Sequence, residues 1–292
     1  MSLPPIELEK DPTPPPLRDS VCYQPTSEDA LACLAQDLTM QAHACVRELG
    51  GFHLAVSGGA DPRPLERLCR ELMTDPAYRA LPWSHTHVWT IDETPAAGSP
   101  SGRVFGVLRD LLIGHSGIPR DQVHAMSAYR PAADSEYERT LRRVLGARKP
   151  GHDRLDMAIL ALGPDGTAGR LHRDHAQDDA RLVVRLPDQA LTLTWRMLAG
   201  SRFLGVLALG RDVAQAVDRT ARGLLSPVPT LLAGHTRWYV DHDAASLACG
   251  APTPSASPAQ ASGRPGAGSR AADAPMPGQP CRHDGRVGEG GS

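Results

Sequence analysis

Leu155-Asp-Met-Ala-Ile-Leu-Ala-Leu-Gly-Pro-Asp-Gly-Thr-Ala-Gly-Arg-Leu-His-Arg-Asp-His175 is the stretch whose reading decides the fold. Its first half is a short apolar run bounded by turn residues, the pattern of a strand buried on both faces of a parallel sheet. The run breaks on Gly163-Pro164-Asp165-Gly166, which cannot extend a strand and has to turn. In an open α/β sheet, ligands bind in the crevice beyond the carboxyl ends of the strands. The stretch therefore reads as the floor and lip of a site, and the side chains on that lip set its chemistry.

Upstream, Thr26 or Ser27 can cap a helix whose first turn carries Glu28 and Asp29. Leu31, Leu34, Leu38, Cys45 and Leu49 recur at helical spacing, and Gly50-Gly51 ends the helix. Residues 52–56 form a short strand that runs into Ser57-Gly-Gly-Ala-Asp-Pro62, and Pro62 suits the start of a helix reaching about Met73. Residues 86–91 are the next strand, followed by Asp92-Glu-Thr-Pro95. Ser101 then caps a helix carrying Val104, Leu108, Leu111 and Leu112. Residues 122–126 read as a short strand and 134–146 as a helix. After a polar loop around 172–180, strands are expected at 181–186, 190–195, 203–209 and 236–241, with a helix over 211–222 and a short one after the last strand. This alternation predicts an α/β, three-layer, Rossmann-like domain with a mostly parallel sheet over residues 26–249. Residues 1–25 are expected as a flexible N-terminal segment. Residues 250–292 are Ala, Pro, Ser and Gly with almost no aliphatics, which predicts a disordered tail.

Aromatic residues make up only 4% of the 292, so the core has to be Leu, Val and Ala. A net charge of −2, with Arg interspersed among Asp and Glu, gives no general attraction for nucleic acid or an anionic membrane, and neither is expected as a partner. The six cysteines (Cys22, Cys33, Cys45, Cys69, Cys249 and Cys281) form no Cys-x-x-Cys pair. They suit reduced thiols rather than a disulfide framework or a zinc site. No apolar run approaches the ~20 residues of a membrane span. The first ten residues lack the basic and apolar segments of a secretory signal, so a cytoplasmic location is expected. His85 and His87 share a face at a strand entry, but no third ligand stands at informative spacing, and no metal is expected.

Three loops that follow expected strands, 57–62, 92–102 and 163–175, carry a family resemblance. Ser57-Gly-Gly-Ala-Asp-Pro62, Trp83-Ser-His-Thr-His-Val-Trp-Thr-Ile-Asp-Glu93 and Leu155 to Gly166 are its most specific pieces. Gly114 to Met126 and Ser201-Arg-Phe203 add to it. Together, over about residues 27–248, they resemble the 6-phosphogluconolactonase family, related in fold to glucosamine-6-phosphate deaminases. The resemblance implies hydrolysis of 6-phosphoglucono-δ-lactone in the oxidative pentose phosphate pathway, without metal or cofactor. A His general base would activate water, while Gly-rich backbone and basic side chains would hold the phosphate, as N–H groups at a helix start and charge-assisted bonds can do.

The matching positions depart from that pattern. The family's Gly-x-x-Asp-Gly-His reads here Gly163, Asp165, Gly166 and then Thr167, which cannot take up a proton near neutral pH. Losing a positioned general base typically lowers a rate by ~10²- to 10⁴-fold. The following Ser is matched by Arg170, the Asp-Glu-Arg motif by Asp92-Glu93-Thr94, and the Ser-Asn after it by Ser101-Gly102. By spacing, a family Arg falls on Ala190, an Asn on Ala199 and a Lys on Val213. Ala60-Asp61 replaces Ser-Thr in the phosphate loop, and Asp61 can cap its own helix with N–H groups a phosphate would use. Such a carboxylate also repels a dianion.

The expected catalytic set is Asp92, Asp165, Thr167 in the position of the family His, and His172 or His175 as substitute bases. The expected substrate-binding set is Ser57, Gly58, Gly59, Asp61, Gly163, Gly166, Arg170 and Arg202. Asp165 can equally stabilise its own turn, and Arg202 can equally pair or pack at a strand start. Two functions stay open: a 6-phosphogluconolactonase-like protein with impaired catalysis that serves a protein partner, and an active divergent lactonase that acts on a sugar-phosphate lactone.

Overall fold

The computed structural model describes residues 13–59, 61–95, 103–171, 180–226 and 236–248. The expected tail at 250–292 and the first twelve residues lie outside them. In chain order the elements are β1 (Ser20–Gln24), α1 (Ser27–Leu49), β2 (Phe52–Val56), α2 (Arg63–Thr74), β3 (Thr86–Thr90), β4 (Asp92–Glu93), α3 (Arg103–Leu108) and α4 (Gly114–Ser116). They continue with β5 (Val123–His124), α5 (Ala133–Gly146), β6 (Met157–Ala161), β7 (Val183–Arg185), β8 (Leu191–Leu193), α6 (Trp195–Ala199), β9 (Phe203–Ala208), α7 (Ala214–Ala221), β10 (Thr236–Asp241) and α8 (His242–Ala245).

Local chemistry explains the boundaries. Thr26 caps α1 by accepting the Asp29 N–H, and Gly50 ends it in the left-handed conformation at φ 80°. Between α3 and α4 the chain makes a π-helical turn over Arg109–Ile113, so the helix expected from Ser101 is not one regular helix. The helix expected over 211–222 opens as a 3-10 turn at Arg211–Val213 before α7 begins.

Seven strands form one parallel sheet in the order β1-β10-β9-β6-β2-β3-β5. Both faces of the central strands are covered. On β6, Met157 and Ile159 enter one core with α1, α2 and α3, while Ala158 and Leu160 enter a second core with α5 and α6. Toward the other edge, Val206 of β9 and Trp238 and Val240 of β10 pack under α7 and α8. Helix, sheet and helix make the three layers expected.

Two features differ from the sequence reading. Ser20–Gln24, inside the segment expected to be flexible, is an edge strand paired in parallel with β10 from Ser20↔Arg237 to Gln24↔Asp241. Its five residues include Pro-free, β-favouring Val21 and Tyr23, but a lone edge strand shows no strong alternation. The strands at 183–185 and 191–193 do not extend the parallel sheet. With β4 they form a three-stranded antiparallel sheet in the order β4-β8-β7, in which Asp92 pairs with Thr192. No helix among the described residues is long and apolar enough to cross a membrane.

Candidate functional site

The loops leaving β2, β3 and β6 emerge at one edge of the sheet. Backbone bonds carry the ladder just past the strand ends: Ser57 N–H to Ile159 O, Ile91 N–H to Val56 O, and Leu162 N–H to Leu207 O, at 2.9, 2.8 and 2.9 Å. That continuity fixes where the next side chains point.

Asp92 stands at the centre with no exposure to solvent. Its Oδ1 accepts the Gly58 N–H at 3.2 Å, and it also bonds the Ser57 side chain and the Gly59 backbone. Ser57 Oγ in turn accepts the Gly59 N–H at 3.0 Å. Asp92 Oδ2 is buried and has no partner among the described residues. Burial pushes the Asp92 carboxyl up to about 6, against the pull of Ser57, the Arg170 charge and the two glycine N–H groups. The glycines are needed for close approach: a Cβ on Gly58 would lie 2.6 Å from Val104 Cγ2, and one on Gly59, at φ +59°, 2.9 Å from Ala161 Cβ.

Arg170 has a left-handed backbone, φ 62°, and its guanidinium pairs with Asp188 while its Nε is buried with no acceptor among the described residues. Thr192 of β8 donates to Gly169 O at 2.9 Å, so the small antiparallel sheet holds the loop carrying Arg170 against Asp92. Ser57, Gly58, Gly59, Asp92 and Arg170 are thus brought together.

The lip at 163–171 is closed on itself. Gly163 N–H donates to Thr167 O at 2.8 Å, and Gly166 N–H to Gly163 O at 3.0 Å with Gly166 at φ 84°. Asp165 Oδ1 accepts both the Thr167 N–H, at 3.0 Å, and the Thr167 hydroxyl, at 2.8 Å. Asp165 therefore holds the turn, and Thr167 spends its hydroxyl hydrogen on it. A Cβ on Gly163 would meet Asp165 Oδ1 at 2.6 Å.

Gly163 also lines a cleft of about 350 Å³ beside this cluster, together with Asp61, Arg63, Arg67, Gly210 and Arg211. Asp61 accepts the Arg63 N–H at 3.0 Å and pairs with Arg63 Nε at 2.8 Å, which is the cap expected of it. The cleft's arginines face acids: Arg63 also reaches Asp212, Arg67 pairs with Glu28, and Arg211 lies 3.8 Å from Asp243. Val213 is buried in the core under α7.

Arg202 requires a correction. It precedes β9, at the amino end of the sheet, and bonds Asp156 Oδ1 at 3.1 Å beside the Arg148–Asp156 pair. The site lies at the carboxyl ends of the same strands, so the substrate-binding role expected for Arg202 does not fit. Its sequence signal, a strand start, favoured the structural role from the outset. His172 and His175 lie outside the described residues, as do Ser101 and Gly102. His85 and His87 do not converge on a metal: His85 bonds Ser84, while His87 Nδ1 meets His124 Nε2 at 3.0 Å. Among the described residues, no group of three or more His, Cys, Asp or Glu is placed to hold a metal ion.

Glu93 is a site-shaping residue absent from the expected set. Its carboxylate accepts four backbone N–H groups, those of Thr94, Arg103, Val104 and Phe105 at 2.6–3.0 Å, and so pins the start of α3, with Val104 against Gly58. Burial raises its carboxyl to about 7 in spite of those donors. Nothing local marks this role, because the three partners at the start of α3 follow ten to twelve residues later.

Comparison with known proteins places the chain in a family. A family model described as glucosamine-6-phosphate isomerases/6-phosphogluconolactonase matches residues 25–238. The GDH/6PGL endoplasmic bifunctional protein of Homo sapiens is 28% identical over 248 residues, covering 78% of this chain but 30% of that protein, so this chain spans less than a third of its length. A 6-phosphogluconolactonase of Mycobacterium bovis is 27% identical over 250 residues, covering 79% of this chain and 98% of that one. The crystal structure of 6-phosphogluconolactonase from Thermotoga maritima superposes with a TM-score of 0.61 at 20% identity, covering 77% of this chain and all of that one.

Proposed function

Since the chain belongs to the glucosamine-6-phosphate isomerase/6-phosphogluconolactonase family, we propose that it is a 6-phosphogluconolactonase-like protein whose hydrolytic step is impaired or lost. One observation carries the reading. Thr167 occupies the place of the general base implied by the family resemblance, and its hydroxyl is committed to Asp165 at 2.8 Å. Lactone hydrolysis needs water oxygen to attack the ring carbonyl while a base takes its proton, after which the ring C–O bond breaks and a carboxylate forms. A threonine hydroxyl, with its own proton donated to a carboxylate, cannot accept that proton.

The phosphate end supports the same reading. Asp61 caps α2 with a carboxylate where a dianion would have to approach, and the cleft's arginines face acids. A domain with this frame and no turnover would serve by binding, with a protein partner as the occupant of interest.

A second reading keeps activity. Asp92, with a buried oxygen that has no partner among the described residues and a carboxyl pushed up to about 6, beside Arg170, is a group tuned for proton chemistry more than for stability. In that reading His172 or His175 completes the site as the base, and the substrate is a sugar-phosphate lactone.

The readings separate in a coupled assay with freshly generated 6-phosphoglucono-δ-lactone at neutral pH, set against the spontaneous rate. Loss of catalysis predicts a rate indistinguishable from background and a gain of roughly 10²-fold or more in Thr167→His if the remaining pocket is competent. Turnover in the unmodified protein that disappears in His172→Ala or His175→Ala would establish the second reading instead.

A further inference from the structure

Away from this site, a polar knot lies between α1 and the β1 edge of the sheet. Cys22 and Gln24 share one face of β1, because alternate residues of a strand point the same way, and α1 brings Cys33 over them. Gln24 Nε2 donates to both sulfurs, at 3.6 Å to Cys22 Sγ and 3.3 Å to Cys33 Sγ. The two thiols also hydrogen-bond to each other. Beside them, Asp37 accepts from Arg237 Nη1 at 2.7 Å and from the Tyr239 hydroxyl at 2.5 Å. The Arg237 charge reaches both thiols, and its Nε–H is buried with no acceptor among the described residues. Cys22 is buried and Cys33 half-buried, so one sulfur of the pair is open to a small reagent. Among the described residues neither Cys45 nor Cys69 has a second thiol beside it; both are enclosed in the core.

We propose that Cys22 and Cys33 are a reversible oxidation site, closing an intramolecular disulfide that staples β1 to α1. With a peroxide as the oxidant, the more accessible Cys33 reacts first. Its thiolate sulfur attacks a peroxide oxygen, the O–O bond breaks, and Cys33 becomes the sulfenic acid as hydroxide leaves. The Cys22 sulfur then attacks the Cys33 sulfur, the S–O bond breaks, and the S–S bond forms with release of water. Two thiols give up two electrons and two protons, and one hydrogen peroxide becomes two waters. Arg237, with a spare N–H, is the cation placed to hold the thiolate that starts the sequence.

At rest the Cys33 sulfur is a thiol. Burial pushes Cys33 up to about 11, its bond to Cys22 adds to this, and Arg237 pulls the other way. The cross-link therefore forms slowly at pH 7 and faster at pH 9, as the thiolate fraction rises roughly tenfold per pH unit. The bridge would tie the edge strand to the first helix and restrict the unfolded chain.

The test uses the full chain, reduced, desalted, exposed to hydrogen peroxide, alkylated and mapped by mass spectrometry without reductant. The expected product is a peptide pair joined through Cys22 and Cys33, formed faster at pH 9 than at pH 7. It is reversed by dithiothreitol, accompanied by a rise in Tm of about 5 °C, and missing from Cys33→Ser. The map of the unaltered protein decides the matter even if that variant folds poorly. Recovery of Cys22 and Cys33 both alkylated, of Cys33 as sulfinic or sulfonic acid beside a free Cys22, or of either joined to another cysteine would overturn the proposal.

Discussion

At the carboxyl end of β3, Asp92 bonds Gly58 through one oxygen, while the other has no partner among the described residues, in a position closed to solvent. A buried carboxylate half-satisfied in this way opposes folding. Its carboxyl is raised from the ordinary aspartate range to about 6. Between about pH 4 and pH 6 the folded state therefore holds a proton the unfolded chain has released, and stability falls as pH rises through that window. Above it the penalty is fully present, at about 2–3 kcal/mol for a shift of this size. Asp92→Asn keeps the Oδ1 acceptor and removes the charge. It should gain about 2 kcal/mol at pH 8, measured by urea denaturation, with the gain shrinking toward pH 4. A loss above about 1 kcal/mol at pH 8 would instead make the carboxylate a structural necessity for the Gly58-Gly59 loop. Thr167 was legible in the sequence because its loop announced itself through Gly163, Asp165 and Gly166. The burial of Asp92 was not, because it depends on β8 and the 163–171 loop closing over it from far along the chain.

Strands β2, β3 and β5 each place one histidine on the same face, through the pairings His53↔His87 and Trp89↔His124. His53 and His87 stack with centroids 4.2 Å apart, His124 lies 3.6 Å from the Trp89 ring, and Trp89 Nε1 donates to His53 Nδ1 at 3.2 Å. These bonds require neutral rings, since a protonated His53 would set a second donor against the indole N–H. Burial, and then the neighbouring His87, lower His53 to about 2 and His124 to about 4; His87 is lowered by burial as well. Arg148, Arg143, Asp121 and Asp156 also act on the stack, the arginines lowering these rings and the aspartates raising them. The stack's contribution to stability is complete above pH 6.5. It is lost as pH falls toward 4 and below, because the unfolded chain takes up protons the folded rings refuse. Each refused proton adds ~1.4 kcal/mol per pH unit to the slope. His124→Phe retains the stack on Trp89 without the titration, so its stability should fall less steeply between pH 6 and pH 4.5 by about one proton's worth. Equal slopes for the two proteins would show that His124 titrates as it does in the unfolded chain. The sequence displayed His87 on a strand face, but the other two rings of the stack come from 34 residues before it and 37 after, and strand register alone joins them.

Across the molecule, the parallel core was readable because apolar runs such as 157–161 have one stable use, burial on both faces with helices above and below. The edge strand β1 and the separate antiparallel sheet were not, since short strands of two to five residues without a continuous apolar run carry too little pattern to state which neighbour they join. That division has a dynamic consequence. β6 sits between β9 and β2, with Met157 and Ile159 in one core and Ala158 and Leu160 in the other, so its amides can open only when both neighbours and both layers separate. Among the described residues β5 has two residues and one neighbour in the parallel sheet, and β7 is paired only with β8. In hydrogen exchange followed by mass spectrometry, peptides covering 157–161 should exchange only with global unfolding, while 123–124 and 183–185 should exchange earlier through local opening. The 163–171 lip should fall between them. Only Pro164 and Asp165 at its tip are exposed, and its own turn, the Asp165 bonds and the Leu162 N–H to Leu207 O bond tie it to β6 and β9. If the lip instead labels as fast as β7, the turn at Thr167 is loose in solution, and a single Thr167→His exchange could not restore a positioned base.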